Sequence, residues 1–272
     1  DPASVLDKLE QEHISIFFGV PTMLQFLLRQ PDFSQRDLSA WRVGMYGAAP
    51  MPPTAVQALA TAVPHVRLYN LCGLTEGGPG GIALGPEDQL RKLGAGGKAL
   101  PNTEARVVDE QMRDVAPGIV GEFVLRGETM MKGYWNKPEA TAETFRDGWL
   151  LTGDLATIDE EGYITLVDRK KDLIITGGMN VYSVEVEHAV QTHSSILDCA
   201  VIGIPHPDYG ETVVTVVTLK PETTLTLEEL REHCRPLIAD YKIPRRMVID
   251  AVPRNASGKI LKYQLRELLR QS

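Results

Sequence analysis

The first ninety residues alternate between stretches with helical spacing of apolar residues and short stretches that are almost entirely apolar. In Ala3–Glu12 the residues Val5, Leu6 and Leu9 fall on one helical face, which predicts an amphipathic helix. The short apolar stretches predict strands, and their alternation with helices predicts the edge of an α/β sheet. The predicted strands are His13–Val20, Val43–Tyr46 and Val66–Leu71, the last two parallel and buried, and the predicted helices between them are Pro21–Leu28 and Thr54–Ala62.

From about residue 98 the pattern changes to short strands separated by glycine turns, which predicts a small β-barrel or a distorted sheet. From Asp168 onward strands and helices mix again, which predicts a small α+β segment. Helices are expected from Ser183 and from Leu227, where Thr226 and Glu229 have the spacing of a capping box. The predicted strands of the two segments are Glu104–Val108, Gly121–Arg126, Tyr163–Val167, Leu173–Thr176, Cys199–Ile204 and Val213–Leu219, and a last helix is expected over Lys262–Leu269.

We therefore expect three segments, 1–97, 98–167 and 168–272. The last boundary lies in the charged run D-R-K-K-D at 168–172, which is typical of an exposed linker. At the other end, the first predicted strand follows directly on a helix and has no earlier strand to pair with. This predicts that the α/β segment is the truncated remainder of a larger domain.

Composition narrows the class of protein. Hydrophobic residues make up 43% of the 272 residues and charged residues 24%, as in ordinary soluble proteins. A net charge of −8 argues against a general nucleic-acid binder, which needs a basic face. The uncharged stretch 43–66 is interrupted by four prolines and is not expected to span a membrane, while peripheral membrane contact and oligomeric state stay open. Three scattered cysteines, Cys72, Cys199 and Cys234, fit a reducing cytoplasm and form no metal-binding cluster.

Two other nucleotide-binding motifs are excluded. Gly94–Lys98 resembles a phosphate loop, but its spacing differs from G-x-x-x-x-G-K-[ST] and Ala99 replaces the hydroxyl residue. No G-x-G-x-x-G follows a predicted strand, which argues against a nicotinamide-dependent oxidoreductase.

Several short motifs each allow a structural and a functional interpretation. Leu71–Glu76, followed by glycines at 77–81, is either a glycine-rich surface loop or a strand end where backbone approaches a ligand. The small residues at 47–50 make either a tight turn or a platform for a flat purine. Asp154 is either a turn residue or a carboxylate that accepts both ribose hydroxyls. Lys259, in a loop with Ser257 and Gly258, is either a surface lysine or a cation for phosphate oxygens.

Four motifs occur in one order: L-C-G-L-T-E at 71–76, L-T-G-D at 151–154, D-R-K-K-D-L-I-I-T-G-G at 168–178 and V-P-R-N-A-S-G-K-I-L at 252–261. Together they resemble the adenylate-forming superfamily of acyl-CoA synthetases, luciferases and peptide-synthetase adenylation domains. The resemblance covers nearly the whole chain but only the second half of such an enzyme. It implies the remainder of the large N-terminal adenylate-binding α/β domain with a small β-barrel-like subdomain, then a small mobile α+β C-terminal domain.

The resemblance implies an ATP-dependent ligase that converts a carboxylic acid to an acyl-adenylate and then transfers the acyl group to CoA, with ATP, Mg²⁺ and CoA as cofactor and co-substrates. The implied catalytic residues are Lys259, Thr75 and Glu76, of which Glu76 also holds Mg²⁺. The resemblance further implies that Lys171 is the hinge of the rotating C-terminal domain and that Gly177 and Gly178 border the CoA tunnel. The implied ATP and AMP contacts are Ala48, Ala49, Pro50, Cys72, Gly73, Leu74, Thr75, Asp154, Arg169 and Lys259.

The chain departs from the family pattern in three places. Cys72 replaces the aromatic residue that commonly stacks on adenine, which argues against a strong stacking platform but leaves the phosphate contacts. Ser183 stands where relatives often have proline, and it is a suitable N-cap. The loop that grips the β- and γ-phosphates is absent from these residues, so we expect this polypeptide by itself to turn over poorly.

Two alternative functions share most of these residues. One is an adenylation domain that loads a carrier protein, although no carrier domain follows within the sequence. The other is a nucleotide-binding module without catalysis, against which the intact Lys259 loop argues. For the acyl group, the apolar Phe17–Leu28 and the small residues Gly77–Gly81 favour a fatty or aromatic acid over an amino acid.

Overall fold

A computed structural model describes residues 1–255 and 258–270. The chain divides into two compact units, Asp1–Leu166 and Val167–Ser272. Each unit has its own sheets and core, and the finer division into three segments stays a prediction.

The first sheet of the first unit has the strand order β1-β2-β3-β4-β5. β1, β2 and β3 are parallel, which the sequence analysis predicted for the last two of them, whereas β4 and β5 are antiparallel additions that it did not predict. The strands are β1 (Ile16–Gly19), β2 (Val43–Gly47), β3 (Arg67–Cys72), β4 (Ile82–Leu84) and β5 (Lys98–Ala99), and the helices are α1 (Pro2–Gln11), α2 (Pro21–Leu28) and α3 (Pro53–Ala62), with a 3-10 turn at Phe33–Gln35.

Helices α1 to α3 are each ten residues or fewer, too short to be stable alone, so tertiary packing holds them. Each begins with a proline, which suits the first helical position because the missing N–H has no partner there. Their leucines form one core with the fully buried Trp41: Leu6, Leu9, Leu24, Leu27 and Leu59. β1 begins three residues later than predicted. After α1 ends at Gln11, the chain turns through His13, which has a φ of +47°, and Ile14 N–H donates to the carbonyl of Leu9.

The second sheet has the strand order β10-β9-β7-β6 with β8 paired to β9, and its pairs β6–β7, β7–β9 and β8–β9 are antiparallel. It lies in the first unit except for residues 167–169 at the end of β10. Its core includes Val107, Phe123, Leu125, Leu150 and Ile164. The change to a β-rich segment is confirmed, while its closure into a barrel stays a prediction. The elements are β6 (Thr103–Val108), β7 (Gly121–Gly127), α4 (Pro138–Thr144), β8 (Phe145–Arg146), β9 (Trp149–Ile158) and β10 (Ile164–Arg169), of which α4, β8 and β9 were not predicted.

The second unit has the strand order β12-β11-β14-β13, with β15 parallel to β14. Side chains alternate along β13, so Val201 packs with α5 and α6 while Ala200 and Ile202 pack on the other face with Leu265 of α7. The predicted capping box of Thr226 and Glu229 is confirmed. The elements are β11 (Ile174–Thr176), β12 (Met179–Val181), α5 (Ser183–Gln191), β13 (Ile196–His206), β14 (Gly210–Leu219), α6 (Leu227–Cys234), β15 (Arg246–Ile249) and α7 (Lys262–Arg270), with 3-10 turns at Lys170–Asp172 and Asp240–Lys242.

The charged run at 168–172 is not an exposed linker throughout. Asp168 and Asp172 are 6% and 7% exposed, so this part of the prediction was wrong. Both carboxylates have buried or half-buried hydrogen-bond donors, described below.

The three cysteines are free thiols. Among residues 1–255 and 258–270, no group of histidine, cysteine, aspartate and glutamate side chains is arranged to bind a metal ion. In the same residues, no helix has both the length and the apolar surface that crossing a membrane requires.

Candidate functional site

The carboxyl ends of β2 and β3 lie side by side, with Gly47 opposite Leu71 in the parallel register. The turn at Ala48–Pro50 follows β2, and the segment Gly73–Glu76 follows β3. The two segments to which the resemblance assigns adenine and phosphate contacts therefore leave the same edge of the sheet. Ala48, Ala49 and Pro50 are all exposed, and Ala48 has a φ of +66°, so this turn presents its backbone to solvent.

Glu76 lies in a single 3-10 turn, Thr75–Gly77, which begins after the two residues that follow β3. Its Oε1 accepts a hydrogen bond of 2.6 Å from the hydroxyl of Tyr134, and its carbonyl accepts one of 2.7 Å from Met131 N–H. The hydrogen bond to Glu76 raises the pKa of Tyr134 above its usual value, so the phenol stays protonated and donates. Thr75, on the same turn, is exposed.

Asp154 does not lie in a glycine turn, as the sequence suggested, but in the middle of β9. The pairing with β7 shifts there, so that residues 152–154 oppose Phe123 alone, which is a β-bulge. Gly153 takes the left-handed conformation that the bulge needs, with a φ of +71°. The Thr152 hydroxyl donates to the Phe123 carbonyl at 2.6 Å and accepts from Asp154 N–H at 3.1 Å, which fixes the backbone of the bulge.

The structure brings Asp154 close to Cys72. Burial, and next the negative charge of Asp154, raise the pKa of the Cys72 thiol to about 12. The thiol is therefore neutral at physiological pH and is no nucleophile. Cys72 and Leu74 pack against the core of the second sheet, so a small side chain at 72 suits this inward position.

In the second unit, Asp168 holds the first turn of α5. Its carboxylate accepts hydrogen bonds from the backbone N–H and, at 3.0 Å, the hydroxyl of Ser183, and from Arg169 N–H at 2.7 Å. The prediction that Ser183 is the N-cap was wrong. Tyr182 occupies the N-cap position and Ser183 is the first helical residue, because the carboxylate of Asp168 supplies the acceptor that a capping side chain would provide.

Lys262 continues this network from the start of α7. Its ammonium donates to the Ser183 hydroxyl at 2.6 Å and forms a 2.7 Å ion pair with Glu187, whose other partner is the N–H of Val201. Burial raises the pKa of Glu187, and the charge of Lys262 opposes this shift. Helices α5 and α7 and strand β13 are thereby joined through a nearly buried charge pair.

Of the residues to which the resemblance assigns ribose binding and the hinge, Arg169 directly precedes the 3-10 turn Lys170–Asp172 and Lys171 is its middle residue. Arg169 is half-buried and Lys171 is exposed. The turn is held to α7, since Asp172 forms a 2.8 Å ion pair with Arg266. Lys171 therefore lies beside a firmly anchored aspartate rather than in an unattached stretch.

Gly177 and Gly178 form a two-residue turn between β11 and β12. Thr176 pairs with Met179, both glycines have positive φ (56° and 79°), and Gly177 N–H donates to the Tyr209 carbonyl at 2.8 Å. The turn joins two strands, because the three-residue strand β12 precedes α5. Positive φ at both positions explains the glycine pair.

Lys259 lies in a narrow loop closed by backbone hydrogen bonds. Asn255 N–H donates to the Lys259 carbonyl at 3.0 Å, and Lys259 N–H donates to the Asn255 side chain at 2.9 Å. Arg254 pairs with Ile260 across the loop and donates to the Gly258 carbonyl at 2.6 Å. The Lys259 side chain is exposed. Ser257, which the sequence analysis assigned to this loop, lies outside the described residues.

The sequence analysis missed several residues that hold the predicted ones. Tyr134 is 58 residues from Glu76, and no local pattern links the two. Arg254 lies inside the C-terminal motif, so its basic side chain next to the glycine–lysine pair was a usable signal. Of the predicted residues, Ala48–Pro50, Cys72–Glu76 and Asp154 belong to the first unit, and Arg169, Lys171, Gly177, Gly178 and Lys259 belong to the second.

Comparison with known proteins gives matches over most of the chain. Residues 1–135 match the model of the AMP-binding enzyme family, and residues 185–259 match that of the AMP-binding enzyme C-terminal domain. A feruloyl-CoA synthase from Amycolatopsis sp is 40% identical over 268 residues, which are 98% of this chain and 54% of that protein. The chain thus spans about half the length of the curated relatives it matches.

Two solved structures are similar in fold and sequence. The amide bond synthetase McbA from Marinactinospora thermotolerans has a TM-score of 0.90 at 35% identity, with 99% of this chain and 55% of that one covered. The O-succinylbenzoate coenzyme A synthetase MenE from Bacillus subtilis, in complex with ATP and a magnesium ion, has a TM-score of 0.87 at 31% identity, with 97% and 54% covered.

Proposed function

Because this chain belongs to the AMP-binding enzyme family, the adenylate-forming superfamily of acyl-CoA synthetases and related ligases, we propose that the protein activates a carboxylic acid with ATP and transfers the acyl group to CoA. One observation carries the proposal for this chain. Asp154, assigned to the ribose, lies close enough to Cys72 to raise the pKa of that thiol, and Cys72 begins the segment assigned to adenine and the α-phosphate.

In the first unit, the turn Ala48–Pro50 and the backbone of Cys72–Leu74 contact adenine, and Asp154 accepts the ribose hydroxyls. Thr75 donates to an oxygen of the α-phosphate. Glu76 offers a partly exposed carboxylate oxygen, the kind of ligand that Mg²⁺ takes together with substrate phosphates. When bound, the ion offsets negative charge on the phosphate oxygens.

In the second unit, Lys259 acts in the first half-reaction. An oxygen of the acid bonds to the α-phosphorus of ATP, the bond to the β-phosphate oxygen breaks, and pyrophosphate leaves. The Lys259 ammonium stabilises the charge that grows on the phosphorus oxygens, which is commonly worth about 10²–10³ in rate, or roughly 3–4 kcal/mol. Arg169 contacts the ribose.

The second half-reaction involves Gly177, Gly178 and the hinge residue Lys171. The CoA sulfur bonds to the acyl carbon, the bond from that carbon to the AMP oxygen breaks, and AMP leaves. Gly177 and Gly178 border the path of the thiol, where two residues without side chains leave room for a narrow pantetheine chain. We assign the rotation that separates the two half-reactions to Lys171.

For the acid we propose a fatty or aromatic carboxylate. The apolar stretch Phe17–Leu28 supports this, and so does the 40% identity to a feruloyl-CoA synthase. The similarity to an amide bond synthetase means that the acceptor of the acyl group needs its own test. An amine that attacked the acyl-adenylate in place of the CoA thiol would release AMP as well.

The test is the acid-dependent exchange of labelled pyrophosphate into ATP, with feruloyl and fatty acids as substrates. We expect Lys259→Ala to lower the exchange about 10²–10³-fold. Lys220→Ala, which removes another exposed lysine of the second unit, is the matched control and should stay within about twofold, as surface substitutions usually do. Undiminished exchange in Lys259→Ala would refute the proposal.

Two further arms complete the experiment. The assay is run on the 272-residue chain, which we propose turns over poorly, and on the same chain preceded by the upstream residues of the feruloyl-CoA synthase. AMP release with CoA is compared with release with a small amine, which identifies the acceptor.

A further inference from the structure

We propose that Tyr134 is a positioning residue for the nucleotide-bound metal ion, because its hydroxyl holds the carboxylate of Glu76 in one orientation. Oε1 of Glu76 accepts the hydrogen bond that the Tyr134 hydroxyl donates, which leaves Oε2 for the Mg²⁺–phosphate group. This rests on the proposed function, in which Glu76 serves that ion.

The geometry is that of a strong hydrogen bond. At 2.6 Å between the two oxygens, the contact lies in the range of a hydroxyl donating to an ionised carboxylate. The same segment also holds the backbone of Glu76, since Met131 N–H donates to the Glu76 carbonyl at 2.7 Å. Met131 therefore holds the main chain of Glu76, and Tyr134, three residues later, holds its side chain.

Tyr134 is itself held in place. Its backbone N–H donates to the hydroxyl of Thr141 at 2.9 Å, and that hydroxyl donates to the Lys137 carbonyl at 2.8 Å. Lys137 N–H in turn donates to the Tyr134 carbonyl at 3.2 Å. These bonds tie Tyr134 to the first turn of α4, so the hydroxyl reaches Glu76 from a fixed backbone rather than from a loose loop.

The chemistry of the pair suits a metal ligand. A carboxylate with one oxygen engaged by a fixed donor loses the freedom to rotate its other oxygen away from the ion. Partners that orient a metal ligand in this way typically contribute about 10–100-fold to metal affinity.

The chain carries a suitable optical reporter next to Tyr134. Trp135 is 88% exposed, whereas Trp41 and Trp149, the other two tryptophans, are 0% and 7% exposed. Iodide, which quenches exposed indoles, therefore reports mainly on Trp135. The affinity of ATP, with no acid present, can be followed through this signal as Mg²⁺ is titrated.

The experiment compares four proteins: the wild type, Tyr134→Phe, Glu76→Gln and Tyr163→Phe. Tyr134→Phe removes one oxygen atom, and we expect it to raise the apparent dissociation constant of Mg²⁺ in the ATP complex about tenfold while leaving metal-free ATP binding unchanged. Tyr163→Phe is the matched control, because Tyr163 also donates to a carboxylate, that of Asp88, at 2.5 Å. We expect no shift in Mg²⁺ affinity for it, and thermal unfolding of each variant monitors the fold.

The outcomes separate this inference from the proposed function. If Glu76→Gln weakens Mg²⁺ binding and Tyr134→Phe does not, or if Tyr134→Phe changes only the unfolding temperature, the role of Tyr134 is overturned and that of Glu76 stands. If Glu76→Gln leaves the Mg²⁺ dependence as in the wild type, or the wild type shows none, the assignment of Glu76 falls and Tyr134 with it. A shift in Tyr134→Phe and Glu76→Gln but not in Tyr163→Phe supports the proposal.

Discussion

Arg254 and Asp198 form an ion pair through two hydrogen bonds, with guanidinium Nε and Nη2 at 3.0 and 2.8 Å from the two carboxylate oxygens. The remaining Nη1 donates to the carbonyl of Gly258, the residue before Lys259. One planar group thus connects strand β13 to the loop that carries the proposed catalytic lysine.

Asp198→Asn should loosen this loop. Both side chains are about 30% exposed, so we expect the pair to contribute only about 0.5–1 kcal/mol, which corresponds to a roughly two- to fivefold rise in local opening. The measurement is the rate of tryptic cleavage after Lys259, followed by mass spectrometry. Glu104→Gln is the matched control, because it breaks a two-bond pair with Arg126 elsewhere in the chain. Equal cleavage in Asp198→Asn and the wild type would contradict the prediction.

Gly153→Ala should destabilise the first unit and disturb Asp154. An alanine at a φ of +71° costs about 1–2 kcal/mol, while the space around this residue would accept a methyl group. Urea unfolding should show the loss as a lower midpoint. Gly153→Asn provides the control. Asparagine adopts a positive φ more readily than alanine, so this variant should lower the urea midpoint less. Equal midpoints for the wild type and Gly153→Ala would mean that the bulge does not need glycine.

The alkylation of Cys72 should depend steeply on pH. With its pKa at about 12, the thiolate fraction rises about tenfold for each pH unit between pH 7 and 10, without the plateau of an ordinary thiol of pKa about 8.5. Peptide mapping after brief iodoacetamide treatment separates Cys72 from Cys199 and Cys234. Asp154→Asn removes the negative charge that, after burial, raises the pKa of Cys72. In this variant Cys72 should therefore react faster at each pH. No difference between Asp154→Asn and the wild type would argue against their proximity.

Helices and strands that are marked by a local sequence feature, such as a proline or a capping box, could be predicted from the sequence. Pro21 marks the start of α2, and the Thr226–Glu229 capping box marks the start of α6. Strand β9 was missed because Gly153 reads as a turn, whereas it accommodates a bulge inside a ten-residue strand. Strand β12 has three residues, too few for an alternating pattern to be visible.

The candidate site could be predicted only as far as its motifs reach. The resemblance named Glu76 and Lys259, but the groups that hold them are distant in sequence. Tyr134 is 58 residues from Glu76, and Asp198 is 56 residues from Arg254. The spacing of residues along the chain does not indicate which donor will contact a carboxylate more than fifty residues away. These contacts could therefore be identified only from the three-dimensional structure. The roles of the individual site residues remain predictions for the experiments above.

The cap that Asp168 provides for α5 comes from fifteen residues earlier in the chain. Forming the first turn of that helix and closing the loop around the β11–β12 hairpin are therefore one event. Loop-closure entropy grows slowly, by about 0.6 kcal/mol for each doubling of loop length. The hairpin could therefore change in length at small cost to the start of α5, so the constraint on its tip comes from the role proposed for Gly177 and Gly178 rather than from the helix.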